Sequence, residues 1–210
     1  MRQTTISGIC KDGFEPVEQA FCLNFEEGFS DDECDLGACV SVVIDGETVV
    51  DLWGGYLDLE RTMPWREDTI VCVFSVTKAV ASFCIHVLHD RNLVDIDKPI
   101  ATYWPEFGQN GKQDITIRML LSHQAGLMNA DCAPEGSIWE DGVIERVLET
   151  KAPEWTPGTD AGYHSFTFGP IVQELVRRVT DKSLGQFLSE EIATPLDIDF
   201  RIGLTEEENA

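Results

Sequence analysis

Apolar and polar positions change rhythm several times along the chain. Through residue 37 apolar positions are sparse and acids frequent, ending in "EEGFSDDECDLG". That pattern predicts an acidic leader over 1–37, either loosely packed or made of a short helix and a loop. The rhythm then turns β-branched: "CVSVVIDGETVVDLWGG" is two strand-like runs around Asp45-Gly46. This pair favours a type I′ hairpin because both central residues must take positive φ. "TIVCVF" (69–74) predicts a short buried strand or an extended lead-in, and apolar spacing predicts a helix over 76–91. "VDIDKPIATYWPEF" is irregular, and "TIRMLLSHQAGL" reads as a helix stopped by Gly126. A helix near 139–149, a long loop "KAPEWTPGTDAGYHS", an amphipathic helix over 166–179 and a last helix in "SLGQFLSEEIATPL" complete the pattern. No internal repeat or low-complexity tract occurs. A two-stranded hairpin is marginal by itself. Either the helices cover it directly or further strands lie beyond residue 210.

Composition narrows the class. The 210 residues are 43% hydrophobic and 25% charged, an ordinary globular balance that could bury a core as one domain, over 38–210 after the leader, or as two small ones. The formal net charge of -23 repels phosphate backbones and anionic membrane surfaces, so neither nucleic acid nor a membrane is an expected partner. The plain reading of that acidity is a solubilising surface. The N-terminus has no apolar stretch suited to a secretory signal and no segment approaches a membrane span, so a cytoplasmic protein is expected. Seven cysteines, an odd number, stand at 10, 22, 34, 39, 72, 84 and 132, which suggests reduced thiols over a disulfide framework. Cys72 and Cys84 lie in apolar runs and read as core. Cys34 and Cys39 lack a second ligand pair, so no metal is expected.

The candidate chemistry begins at "VCVFSVTKAV" (71–80), where a lysine stands in the first turn of a helix. A cation there faces the positive end of the helix dipole. Ser75 suits an N-cap, yet Lys78 cannot return the hydrogen bond of a capping box. Three apart on a helix, Ser75 and Lys78 share a face, the geometry of an activated serine. A free lysine titrates near 10.4, so serving as a base requires burial or positive potential to lower that by roughly three units. The flanking apolar runs predict a dry setting, and the helix N-terminus supplies positive potential. S-x-x-K alone is a weak signal, and the plain alternative is a capped helix with a surface lysine. No G-x-S-x-G elbow occurs. His86 and His89 read as core or supporting residues of the long helix, and His123 as capping or fixing the turn at Gly126. In "GYHSFTFGP", Tyr163 and Ser165 follow the Pro157-Gly158 turn, where a phenol can shuttle a proton. The alternative is a buried aromatic with Ser165 as N-cap.

Taken together these segments resemble the serine β-lactamase-related proteins, close to class C β-lactamases and above all to family VIII carboxylesterases. "VFSVTKAV" is similar to the S-x-x-K motif, "ITIRMLLSHQAGL" to the helix and turn after it, and "PGTDAGYHSFTFGPIVQELVRRVT" to the Y-x-[NS] region. "DLWGGYLD" and "YWPEF" share the look of the family, and the resemblance runs from about residue 14 to the end. It implies an α+β fold of the β-lactamase/penicillin-binding-protein type: an antiparallel sheet with packed helices plus a helical subdomain. It also implies Ser75 as acylated nucleophile, Lys78 as its general base and Tyr163 as proton relay to the leaving group. Ser165 takes a substrate-binding position where penicillin-recognising relatives often have Asn. No metal or organic cofactor is implied. The third motif of the family, K-T-G, H-x-G or W-x-G on a late strand, is absent after Tyr163, so the chain is expected to stop before the C-terminal strands. Trp53-Gly54-Gly55 precedes the nucleophile and reads as structural. The expected activity is a serine hydrolase acting on small carboxylic esters. A D-amino-acid peptidase, a weak β-lactamase or a non-catalytic relative are the alternatives, and oligomeric state stays open.

Overall fold

The computed structural model describes residues 4–26, 35–134, 136–137, 140 and 142–204. The segment "EEGFSDDECDLG", Cys34 included, lies mostly outside the described residues, as do residues 138, 139 and 141 of the helix expected near 139–149. Contacts divide the chain into two units, Met1–Val71 and Cys72–Ala210.

In the first unit the hairpin forms as its turn residues dictate. Asp45 and Gly46 take φ of 52° and 78°, joining β2 (Gly37–Ile44) to β3 (Glu47–Gly55) with Ile44 opposite Glu47. The leader is not a separate body: Ile6–Cys10 forms a strand, β1, pairing antiparallel with β3, so the sheet order is β1-β3-β2. Gly8 permits this pairing, because its φ is 118° and a Cβ there would lie 1.9 Å from the Asp51 carbonyl oxygen. The helix α1 (Glu15–Leu23) starts with two acids in its first turn, favourable at the positive end of the dipole. It lays Phe21 on Val49, Val50 and Leu52 of β3. The marginal hairpin is thus completed by a third strand and a helix from the acidic N-terminal segment.

The second unit is helical. Its longest helix, α2 (Val76–Asp90), ends one residue from the expected boundary and buries Ala81, Cys84, Ile85 and Leu88, one face at helical spacing. Tight 3₁₀ turns at Ile100–Thr102 and Pro105–Phe107 seat Trp104 and Phe107 in the core. α3 (Ile117–Leu121) is capped by Thr116, whose hydroxyl accepts the Met119 N–H at 3.1 Å. It stops well before Gly126, because His123 already takes the left-handed φ of 61°. α4 (Val143–Thr150) and α5 (Phe168–Thr180) follow. α5 buries Phe168, Ile171, Val172, Leu175 and Val176, the stripe the sequence predicted. α6 (Leu184–Leu188) opens with a reciprocal capping box between Ser183 and Gln186 and runs on through a π-helical turn, Ser189–Ala193.

One of two open readings is decided here, and one expectation fails. Residues 69–74 form no strand, and Ile70, Val73 and Phe74 are exposed. The run finds no facing strand among the described residues, so it is an extended lead-in. Cys72 within it is exposed rather than core. Cys84 is buried as expected, and burial pushes its thiol up to about 11.

One buried cation holds the second unit together at a distance from α2. Lys112 is fully buried, and its ammonium donates to the carbonyls of Gln109, Glu149 and Lys151 at 2.9, 3.0 and 2.5 Å. It ties the loop after the second 3₁₀ turn to the C-terminal end of α4. Lys112→Met keeps the apolar stem but takes the ammonium donor from the Glu149 and Lys151 carbonyls, and is expected to cost roughly 2–4 kcal/mol. Urea denaturation read by circular dichroism measures this.

Candidate functional site

The helix α2 begins on an unusual backbone. Phe74 is a non-glycine residue at φ 45°, and i to i+3 hydrogen bonds carry the chain from Val73 through Lys78 into the helix. Left-handed backbone at a bulky residue costs free energy and concentrates at functional sites. Ser75 stands at the N-cap position but has helical φ and ψ, and its side chain makes no capping hydrogen bond. The hydroxyl is therefore not spent on the helix. Lys78, one turn on, brings its Nζ to 3.3 Å from Ser75 Oγ. The spacing argument for one shared face holds. The dry setting expected around the pair does not: Ser75 is exposed and Lys78 half-buried, since the preceding apolar run lies in solvent.

Tyr163 reaches the same place from a distant part of the sequence. The Lys78 ammonium lies 4.9 Å from the centre of its ring. Side-chain hydrogen bonds with Ser75 and Lys78, and the Lys78 charge, hold the Tyr163 phenol below the ordinary tyrosine range. The side chain is 51% exposed, so the alternative of a buried structural aromatic fails. Ser165 is exposed and is not an N-cap: α5 is entered at Thr167. Ser165 lines a cleft of about 430 Å³ together with Phe74, Lys78, Ile144, Phe166 and Phe168. All four candidate residues thus gather at one end of α2.

The loop carrying Tyr163 is fastened by two histidines whose part in the site the sequence reading missed. The Gly162 N–H donates to the His123 carbonyl at 3.0 Å, and the His164 N–H donates to His123 Nδ1 at 3.1 Å. The His123 ring centre lies 4.8 Å from that of Tyr163 and 5.4 Å from that of His164. His164 is fully buried and receives the Leu127 N–H on Nε2 at 3.0 Å. Its proton therefore sits on Nδ1, which donates to the Gly162 carbonyl at 2.6 Å. Burial, and then the Lys78 charge, lower the pKa of His123. For His164, burial lowers it most, opposed by the Gly162 hydrogen bond. Both rings are neutral at pH 7. Gly162 lets Met128 pack closely there, because a Cβ would fall 2.2 Å from Met128 Sδ and push that side chain aside.

The remaining histidines stand apart from these groups. His86 is exposed, not core, and His89 Nδ1 lies 3.1 Å from the Val94 carbonyl just past the end of α2. Among the described residues no group of three His, Cys, Asp or Glu side chains is placed to hold a metal ion. No helix among them is long and apolar enough to cross a membrane.

Comparisons with known proteins bear on the family and the fold. An esterase/beta-lactamase of Mycobacterium tuberculosis, LipL, is 40% identical over 163 residues, covering 78% of this chain and 38% of that protein. A solved family VIII carboxylesterase superposes with a TM-score of 0.86 at 41% identity, covering 98% of this chain and 56% of that one. A penicillin-binding protein homolog from Caulobacter crescentus gives 0.89 at 38% identity, covering 98% and 54%. The chain spans about half the length of these solved structures and less of the curated relative. The fold is that of the β-lactamases and penicillin-binding proteins, and the beta-lactamase family model matches residues 25–210. From the sheet-and-helix architecture to that match across most of its length, the chain belongs to the beta-lactamase family.

Proposed function

We propose that this chain carries the nucleophile-bearing part of a serine hydrolase that cleaves small carboxylic esters through an acyl-enzyme on Ser75. The observation that carries the proposal is the unspent Ser75 hydroxyl, 3.3 Å from Lys78 Nζ, with the Tyr163 ring centred 4.9 Å from that same nitrogen. Ser75 Oγ attacks the ester carbonyl while Lys78 acts as the general base that takes its proton. Tyr163 protonates the departing alkoxide and is recharged from Lys78. Water then attacks the acyl-enzyme, gives up its proton along the same path, and Ser75 is released with the carboxylic acid. The Ser75 N–H, at the first turn of α2, supplies one donor for the oxyanion, with the helix dipole behind it. Among the described residues no second donor is placed beside it by a late strand, and the whole protein's rate depends on that donor.

Esters are favoured over lactams on two counts. Ser165 offers a hydroxyl in the cleft where a carboxamide would bind a lactam side chain, and one of the solved structures named above is a family VIII carboxylesterase. A peptidase or weak β-lactamase activity would use the same Ser75, Lys78 and Tyr163. Nitrocefin and D-alanyl peptides tested beside p-nitrophenyl esters separate these substrates. The protein is proposed to act without metal or organic cofactor and without nucleic-acid or membrane partners, in the cytoplasm.

Incubation with a fluorophosphonate is expected to add one adduct, mapped to Ser75 by peptide mass. Ser75→Ala is expected to abolish it and to lower ester turnover by roughly 10⁴-fold or more. An adduct that persists in Ser75→Ala ends the assignment. Tyr163→Phe is expected to lower kcat by about 10²-fold with little change in KM, and by more for alkyl than for p-nitrophenyl esters, because a poor leaving group needs the proton more. Since the Tyr163 pKa is lowered, its phenol loses the proton at a pH below its ordinary value. An alkaline decline of the rate should therefore begin below about pH 10, the ordinary tyrosine value, and vanish in Tyr163→Phe.

A further inference from the structure

Nothing in the proposed reaction gives a part to His123, yet it touches the tyrosine loop in three ways. Its carbonyl and its Nδ1 take the N–H groups of Gly162 and His164, on either side of Tyr163 in sequence. Its ring lies 4.8 Å from the phenol ring, tilted by 55°. Its own φ of 61° turns the side chain back toward that loop straight after α3. We infer that His123 is the positioning residue for Tyr163, aiming the phenol at Ser75 and Lys78 only while its imidazole is neutral. The inference rests on the proposed role of Tyr163.

The reason is the direction of one hydrogen bond. Nδ1 accepts from the His164 N–H, so the ring proton of neutral His123 sits on Nε2. A second proton has nowhere to go but Nδ1, where it meets the His164 N–H head on. Protonation thus breaks the side-chain half of the clasp and leaves the His164 N–H without its acceptor. The groups facing His123 set how readily this happens. From α2, Lys78 opposes a second positive charge. From the tyrosine loop come the Tyr163 phenol and His164, which carries its single proton on Nδ1 toward Gly162. Glu154 acts on His164, in the direction of holding a proton. From α5 the Phe168 ring packs on it, at 5.3 Å. Burial and Lys78 both favour the neutral ring, so the clasp is closed at neutral pH and opens in acid. Once open, Tyr163 no longer faces Ser75, and a displaced catalytic group commonly costs on the order of 10²-fold in rate.

Two substitutions separate the parts of this arrangement. His123→Asn tolerates the left-handed backbone and offers an amide oxygen to the His164 N–H, but it cannot be protonated. His123→Gly is also at ease in that backbone and offers neither acceptor nor ring. The direct readout is the Tyr163 ¹³Cζ resonance of the full chain with labelled tyrosine, assigned by its loss in Tyr163→Phe, followed from pH 4 to 11. The unaltered protein should show an alkaline midpoint below the ordinary tyrosine value and a second inflection in acid. His123→Asn should keep the low midpoint and lose the acid inflection, and His123→Gly should raise the midpoint toward about 10. An acid inflection surviving in His123→Asn, or an unmoved midpoint in His123→Gly, overturns the inference. Ester hydrolysis adds a kinetic test: the ratio of unaltered to His123→Asn kcat should fall as pH is lowered, and a pH-independent ratio overturns the inference. Should the unaltered protein hydrolyse no ester, the proposed function fails alone, and the resonance still decides the place of His123.

Discussion

The site depends on one clasp, the pair of hydrogen bonds by which the carbonyl and the imidazole of residue 123 hold residues 162 and 164. Ser75 and Lys78 need no such help, since a single turn of α2 places them together. Tyr163 lies on a loop, and a loop residue has an address only if something fixes its neighbours. The clasp does this with groups that must be satisfied in any case: buried backbone N–H groups cost free energy if left unpaired. His164, fully buried, adds a third tie by accepting from Leu127 with one nitrogen and donating to Gly162 with the other. The stability of this loop and the aim of the phenol are consequently one property.

Two non-glycine residues in left-handed backbone bracket this arrangement, Phe74 before Ser75 and His123 before the turn at Gly126. Each ends one direction of the chain abruptly and starts another. At Phe74 the turn lets a helix begin with a serine whose hydroxyl is free of capping duty. At His123 it stops α3 and returns an imidazole toward the tyrosine loop. Strain held in place by a packed core below, here Ala81, Cys84 and Ile85 on one side and Phe168 on the other, keeps reactive groups in position before a substrate arrives.

Much of this was legible in the sequence where the information is local. Helical periodicity gave α2 to within a residue of its C-terminal end, and gave the buried stripe of α5. Asp45-Gly46 fixed the hairpin, and the three-residue spacing put Ser75 beside Lys78. What escaped depends on partners remote in the chain. β1 is short and interrupted by Gly8, and only pairing with β3 makes it a strand. The burial expected of 69–74 followed from apolar content alone, which states what a segment prefers and not whether a partner faces it. His123 and His164 lie in different segments, and no periodicity links them. Two histidines each next to a glycine-containing turn were the available signal, and its meaning depended on which nitrogen accepts.

The cysteines describe a gradient of reactivity across the second unit. Thiol reagents attack the thiolate, so Cys84, buried and held at about 11, is shielded, while Cys72 and Cys132 are open to solvent. Cys72 sits three residues ahead of Ser75, on the lead-in that turns at Phe74. With every cysteine but Cys72 and the buried Cys84 replaced by serine, a fluorophore attached to Cys72 becomes a reporter whose emission follows the doorway of the reactive helix, with no new cysteine engineered into the protein.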